Sequence, residues 1–149
     1  MERIELLDET ERYPHAEALV EVLAALLDDL GLTDREMTVV LMDDESIARH
    51  NLADRGEQGP TDVLSYPTAE PGDEGFPQIP HLGDVFISLD TAARQAALHG
   101  HSLHSEVLVL AAHALTHLQG FDHQTDHEWQ PFRAAQARVL ELAAEVAVE

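Results

Sequence analysis

The chain alternates between stretches with apolar residues at helical spacing and short runs that are apolar throughout. From His15 to Leu30, apolar residues recur at every third or fourth position, and Gly31 follows as a stop signal. The stretch after Asp126 shows the same spacing at Phe132, Ala135, Val139, Leu142, Ala143 and Val146. Each stretch predicts an amphipathic helix that packs one face on a core.

Three further helices are predicted between these two. The first has Asp43 or Asp44 as its N-cap, and the second has Asp90 or Thr91 as its N-cap and ends at Gly100.

The third of these helices begins near Ser102 or Ser105, continues to Gly120 and is apolar almost all round. A helix without a polar face is typical of a protein interior, so this one is predicted to be the central buried helix. His113 and His117 are its polar exceptions.

Four short segments predict β-strands: Ile4–Leu7, Met37–Met42, Thr61–Pro67 and Gly83–Ser88. The second of them is apolar at successive positions, which is typical of a strand buried on both faces. The intervening stretch Thr68–Leu82 is rich in proline and glycine and predicts a long loop, either a lid or a solvated acidic excursion.

The predicted order is β-α-β-α-β-β-α-α-α. We expect an α+β fold in which about five helices pack on one mixed four-stranded sheet. At 149 residues the chain is long enough for a single domain that covers residues 1–149.

Composition restricts the chemistry that this fold can carry. The chain has no cysteine, so a disulfide framework and a thiolate-bound metal are excluded. Its net charge is −21 and all eight basic residues are arginine, a balance that ordinarily argues against binding nucleic acid through a basic face. No secretory signal or transmembrane stretch is recognisable, and we expect a cytoplasmic protein.

Three histidines near the end of the central helix predict a metal site. His113 and His117 are one helical turn apart, so their imidazoles can point at the same place. Gly120 can reverse the chain after the helix and bring His123 to the same place. Three imidazoles with a vacant fourth position suit one catalytic divalent ion, zinc first, with nickel or another divalent metal also open.

Other residues near this motif offer alternatives. Asp126 and His127 could replace His123 as the third ligand, and Asp122 could either orient a ligand or stay exposed. The spacing is that of metzincin proteases, but Ala114 occupies the position of their catalytic glutamate. The histidines predicted to be scattered surface or cap residues are His15, His50, His81, His99, His101 and His104.

The motif from His113 to His123 resembles the signature of the YbeY family of bacterial endoribonucleases. The stretches Asn51–Gly56, Pro60–Pro67 and Leu82–Ser88 also resemble that family in order and spacing. The chain departs from the pattern at Ala114 and Thr116, where the family usually has glycine and leucine.

The resemblance implies a metal-dependent, single-strand-specific endoribonuclease in ribosomal RNA maturation and ribosome quality control. It implies that His113, His117 and His123 bind the metal and that Arg55 faces the site, where a guanidinium can grip phosphate oxygens. RNA and ribosomal or ribosome-associated proteins are the implied partners. The nucleophile is a water molecule or an RNA 2′-hydroxyl group, and we leave both open.

Two other functions fit part of the pattern. One is a metallohydrolase that acts on peptide or amide bonds, which Ala114 disfavours because it cannot move a proton. The other is a non-enzymatic ribosome assembly factor whose metal only stabilises the fold.

Overall fold

A computed structural model describes residues 3–68 and 80–147. Its strands are β1 (Ile4–Asp8), β2 (Glu36–Met42), β3 (Val63–Pro67) and β4 (His81–Ser88). Its α-helices are α1 (Ala16–Asp29), α2 (Asp44–Arg55), α3 (Leu89–His99), α4 (Leu103–Leu118) and α5 (Gln130–Ala147). The predicted α+β class and the predicted order of strands and helices are confirmed.

The four strands form one mixed sheet in the order β1-β2-β4-β3. β1 and β4 both run parallel to β2, while β3 pairs with β4 as an antiparallel neighbour. Strand β2 is interior, as its continuous apolar sequence predicts, and most of its residues are buried. Parallel pairing requires a crossover between strands, and α1 and α2 lie in the two crossover connections around β2.

The larger core includes buried residues of α1, α3, α4 and α5 together with the sheet, and α4 contacts α1, α3, α5, β3 and β4. A smaller core holds Val40, Met42 and Leu64 from the strands with Ile47 of α2. Helix α4 has ten buried residues, which confirms its prediction as the central helix. Among the described residues, no helix combines the length and apolar character needed to cross a bilayer.

The predicted N-cap of α2 and the predicted start of α4 agree with the structure. Asp43 caps α2 by accepting a hydrogen bond from the Ser46 amide at 2.8 Å. Ser102 caps α4 by accepting one from the Ser105 amide at 3.0 Å.

The N-cap of α3 was predicted wrongly at Asp90 or Thr91. Ser88 is the cap, and its hydroxyl accepts a hydrogen bond from the Thr91 amide at 3.2 Å. The other two side chains have long-range partners: the Thr91 hydroxyl donates to Asp44, and the Asp90 carboxylate accepts from the Asp44 amide. The strand therefore passes directly into the helix.

Boundaries differ elsewhere by a few residues. Helix α5 begins at Gln130, after a short 3₁₀ turn over His127–Trp129, whereas the sequence places its start near Asp126. Strand β4 begins two residues before the predicted Gly83, inside the predicted loop. Residues 69–79 of that loop lie outside the described residues.

Gly83 lets β4 approach two neighbours closely. A Cβ atom at this position would collide with the carbonyl oxygen of Tyr66 on β3 and lie 2.7 Å from Leu118 Cδ2 on α4. Its φ of +151° is also unusual for an L-residue. This glycine therefore sets how tightly the β3–β4 hairpin packs on the end of α4.

We expect Gly83→Ala to lower the free energy of unfolding by about 3 kcal/mol or more, because backbone and side chain must both shift to admit the methyl group. Urea denaturation followed by circular dichroism measures the change. Gly31→Ala is the control, since Gly31 has a φ of +76° with no atom within 4 Å of the added Cβ. It should lose only about 1 kcal/mol for the left-handed backbone. Equal losses in the two variants would contradict the packing role.

Candidate metal centre

The structure brings His113, His117 and His123 together. Their ring centroids are 4.9 to 5.1 Å apart, and one potential ligand atom from each lies within 4.8 Å of the others. All three side chains are half-buried, so their nitrogens are accessible to an ion without being fully solvated. This is the geometry that the sequence predicts for a three-histidine site.

The local backbone explains why the third histidine joins the first two. Helix α4 ends at Leu118, and Gly120 has a φ of +99°, which reverses the chain. The Gly120 amide donates to the His117 carbonyl at 2.9 Å, and the Phe121 amide donates to the Thr116 carbonyl at 3.4 Å. The tight turn returns His123 to the last turn of the helix.

Two aromatic residues of the C-terminal segment support the imidazoles. The ring of Phe132, which is fully buried on α5, lies 4.9, 4.8 and 4.8 Å from the rings of His113, His117 and His123. The indole of Trp129 stacks on His123 with 4.0 Å between centroids and 16° between planes. These contacts restrict the rotamers of all three histidines.

Hydrogen bonds hold the Nδ1 atoms of two histidines. His117 Nδ1 lies 3.1 Å from the Phe121 carbonyl oxygen, which fixes it as the protonated nitrogen. His113 Nδ1 lies 3.3 Å from the side-chain amide of Gln136 on α5. Rotating that amide by 180° presents its oxygen as an acceptor for Nδ1–H. Both imidazoles then keep Nε2 free as a metal-ligand atom.

Burial favours the neutral form of these imidazoles. Burial, with smaller contributions from the neighbouring His117 and His123, lowers the pKa of His113 to about 4. Burial also lowers the pKa of His117. Since a metal ion binds only the deprotonated nitrogen, the histidines fit the ion that the sequence predicts over the neutral pH range.

The alternative ligands do not join this group. Asp126 and His127 are both exposed and lie outside the three-histidine cluster. Asp122 is also exposed, and its carboxylate accepts the backbone amide of His123 at 2.8 Å rather than holding an imidazole. It therefore stabilises the turn that places His123.

Arg55 reaches the same site from α2. It lines a cleft of about 350 Å³ whose other walls are Asp62, Val63, Leu64, Ser65, His113, Ala114 and His117. The guanidinium donates to the Ser65 carbonyl at 2.7 Å and lies 5.2 Å from the centroid of the Tyr66 ring. The Tyr66 hydroxyl in turn donates to Asp54 at 2.6 Å, so the arginine is held by a short chain of contacts.

Asp62 also faces the cleft, although sequence reasoning gave it no role. Its carboxylate accepts the Val63 amide at 2.8 Å and the Gln95 side chain at 3.2 Å. Sequence reasoning also gave no site role to Trp129 on the 3₁₀ turn or to Phe132 and Gln136 on α5. The helical spacing marks Phe132 as a core residue, but nothing in the sequence indicates which side chains it touches.

The depressed pKa of His113 predicts a pH-dependent stability of the metal-free protein. Below about pH 6.5 the unfolded chain binds a proton at this imidazole, while the folded chain binds it only near pH 4. The resulting destabilisation is absent above pH 6.5 and grows as the pH falls towards 4. The free energy of unfolding of the wild type should therefore fall between pH 7 and pH 5. We expect this fall to be about 1 kcal/mol smaller in His113→Asn than in the wild type. Urea denaturation in the presence of a chelator measures the change.

His127→Asn is the matched control, because His127 is exposed and outside the cluster. Its pH dependence should equal that of the wild type. Identical pH dependence in all three proteins would show that burial of His113 has no such effect.

Comparison of the sequence with known proteins identifies a family. The profile described as "Endoribonuclease YbeY" matches residues 4–144. A protein of that name from Thermus thermophilus is 52% identical over 124 residues, which is 83% of this chain and 88% of the relative. The protein so named from Deinococcus radiodurans is 49% identical over 131 residues, covering 80% and 83% of the two chains.

The fold comparison agrees. A solution structure of a Thermotoga maritima protein superposes with a TM-score of 0.65 over 93% of this chain and 89% of that one. Its sequence identity is 22%, so it supports the architecture alone. Because the profile spans nearly the whole chain and the relatives are similar over most of their length, this chain belongs to the YbeY family.

Proposed function

We propose that this protein is a metal-dependent endoribonuclease, specific for single-stranded RNA, that acts in ribosomal RNA maturation and ribosome quality control. One observation carries the proposal: Arg55 and two of the three clustered histidines line the same cleft. A guanidinium beside a metal site suits a phosphodiester, whose negative charge grows as it is cleaved. Two relatives with about half of their residues identical are named endoribonucleases.

The donor set fits one divalent ion. His113, His117 and His123 would hold it, and three imidazoles without a thiolate favour zinc, with nickel next among the borderline metals. When bound, such an ion supplies Lewis acidity to a phosphoryl oxygen and to the attacking hydroxyl.

Arg55 would stabilise the reacting phosphodiester. One of its five N–H donors is used at the Ser65 carbonyl, which leaves others for two phosphoryl oxygens. The contact with the Tyr66 ring restricts the guanidinium, so less conformational entropy is lost when substrate binds.

Asp62 places a carboxylate in the cleft where the phosphate would bind. Its carboxylate lines the cleft but is tied to the Val63 amide and the Gln95 side chain. Those two hydrogen bonds offset part of its repulsion towards a phosphate. With a net charge of −21, the chain would bind RNA in this cleft or through ribosomal or ribosome-associated proteins in the cytoplasm.

Ala114 disfavours action on peptide bonds. It is buried and lines the cleft where a metzincin places its general base. Its methyl group cannot accept a proton from water. Peptidase activity in purified, metal-loaded protein would favour that alternative function.

Substitution at Arg55 tests the proposed activity. We expect Arg55→Gln to lower kcat for a single-stranded RNA substrate by roughly 10²- to 10³-fold, because a donor to the developing charge is lost. Arg49→Gln, at an exposed arginine on the same helix, is the control and should keep wild-type kcat. Equal rates in all three proteins would contradict a role for Arg55.

The same assay with His117→Ala separates an enzyme from a purely structural metalloprotein. Loss of cleavage without loss of thermal stability or ribosome association supports catalysis. Product ends identify the nucleophile: a 2′,3′-cyclic phosphate indicates the RNA 2′-hydroxyl, whereas ¹⁸O from solvent at phosphorus in the first step indicates water.

Gln136 is a positioning residue for the metal site, and its substitution gives a separate prediction. We expect Gln136→Met to weaken zinc binding by roughly 10- to 100-fold, because the Nδ1 partner of His113 is removed while the side chain stays similar in size. Competition with a chromophoric chelator measures the affinity. Arg133→Met, at an exposed position of the same helix, should bind zinc as the wild type does. Unchanged affinity in both variants would contradict the orienting role.

A further inference from the structure

A second group of metal-ligating side chains lies at the corner between α3 and α4. His99, His101 and Glu106 each offer an atom within 4.8 Å of the other two. The two histidines lie at the surface, as the sequence predicts, but they are not scattered, because they share one carboxylate. Gly100, with a φ of +72°, turns the chain between them, and the first turn of α4 places Glu106 opposite.

Both imidazoles converge on one oxygen of the carboxylate. His99 Nδ1 lies 2.9 Å from Glu106 Oε1, and His101 Nε2 lies 2.6 Å from the same atom. The carboxylate is almost completely buried, with 2% of its side chain exposed, whereas the two histidines are 57% and 29% exposed. An ion can therefore reach the nitrogens from solvent while the carboxylate anchors it from inside.

Glu106 is a buried carboxylate whose partners are two imidazoles. A carboxylate removed from water is costly unless a cation or several hydrogen bonds accompany it. The ion pairs of the described residues give Glu106 only histidine partners, and the chain has no lysine. The two imidazoles can satisfy the oxygen as hydrogen-bond donors, and a divalent cation held by the same three side chains would bring two positive charges to the buried carboxylate.

The spacing of the three donors is close to what a metal ion needs. Nitrogen and oxygen ligands lie roughly 2.0–2.2 Å from zinc, so two ligands at a tetrahedral angle are about 3.4 Å apart. The two nitrogen–oxygen separations of 2.9 and 2.6 Å need to widen by less than about 1 Å. Rotation of the exposed His99 side chain and a small shift of His101 would provide that room.

This group is separate from the three-histidine cluster. Glu106 and His113 are both on α4, seven residues apart, which corresponds to about 10 Å along the helix axis. The two groups share no residue. A metal ion at one of them would not contact a phosphodiester held at the other.

We propose that His99, His101 and Glu106 form a second metal site, which takes a borderline divalent transition-metal ion of the zinc class and clamps the α3–α4 corner. Two imidazoles and one carboxylate are donors that such ions accept, and water completes the coordination. The acidic chain raises the local concentration of cations around the site. This site is independent of the proposed ribonuclease activity.

Counting bound zinc in the chelator-treated protein tests the proposal. Isothermal titration with Zn²⁺ should give two equivalents for the wild type and one for the double variant His99→Asn/His101→Asn. His117→Ala should keep the equivalent at the α3–α4 corner, and combining all three substitutions should abolish both. The control pair His50→Asn/His81→Asn, at two partly exposed histidines elsewhere, should still bind two equivalents.

Either of two results would overturn the site: a single equivalent in the wild type that the double variant retains, or two equivalents that survive in the double variant. If that variant does not fold, wild-type crystals grown with Zn²⁺ provide a second test. Anomalous diffraction at the zinc edge should show a peak among the three side chains, and its absence refutes the site. RNA cleavage should persist in the double variant. Loss of zinc from the α3–α4 corner can thus be distinguished from failure of the proposed ribonuclease function.

Discussion

Burial of α4 is the constraint on which the rest of the structure depends. The helix is packed by other helices and by the β3–β4 hairpin, so its polar side chains must find partners within the protein. His113 and His117 meet His123 over Phe132 at one end. Glu106 meets histidines at the other. Both candidate metal sites thus arise where an apolar helix carries groups that prefer water.

Because the net charge is −21, the position of each positively charged side chain matters more for binding an anion than the total number of such side chains. Arg55 is one of only eight basic residues, and its contacts with Ser65 and Tyr66 hold it against the candidate metal centre. A fixed guanidinium, together with a divalent ion if the three histidines bind one, would concentrate positive potential in one cleft of an otherwise acidic protein. Under the proposed function, RNA would bind at this local field.

Much of the fold could be predicted because local signals and packing agree. The apolar runs of β2 and α4 are buried as their patterns predict, and Gly120 ends the helix as its backbone freedom allows. Local capping chemistry was less reliable. Ser88 rather than Asp90 caps α3, because β4 passes directly into the helix and the Asp90 carboxylate instead binds the amide of Asp44, far away in the chain.

For the candidate site, the sequence by itself determined the spacing of His113, His117 and His123, since a helical turn and a glycine reversal act over a few residues. Tertiary structure decided everything that depends on elements distant in the chain. Only folding places Phe132 under the imidazoles and Arg55 beside them. The physical reason is that helical periodicity identifies which face of an element is buried, whereas the partner of that face is fixed by how whole elements pack.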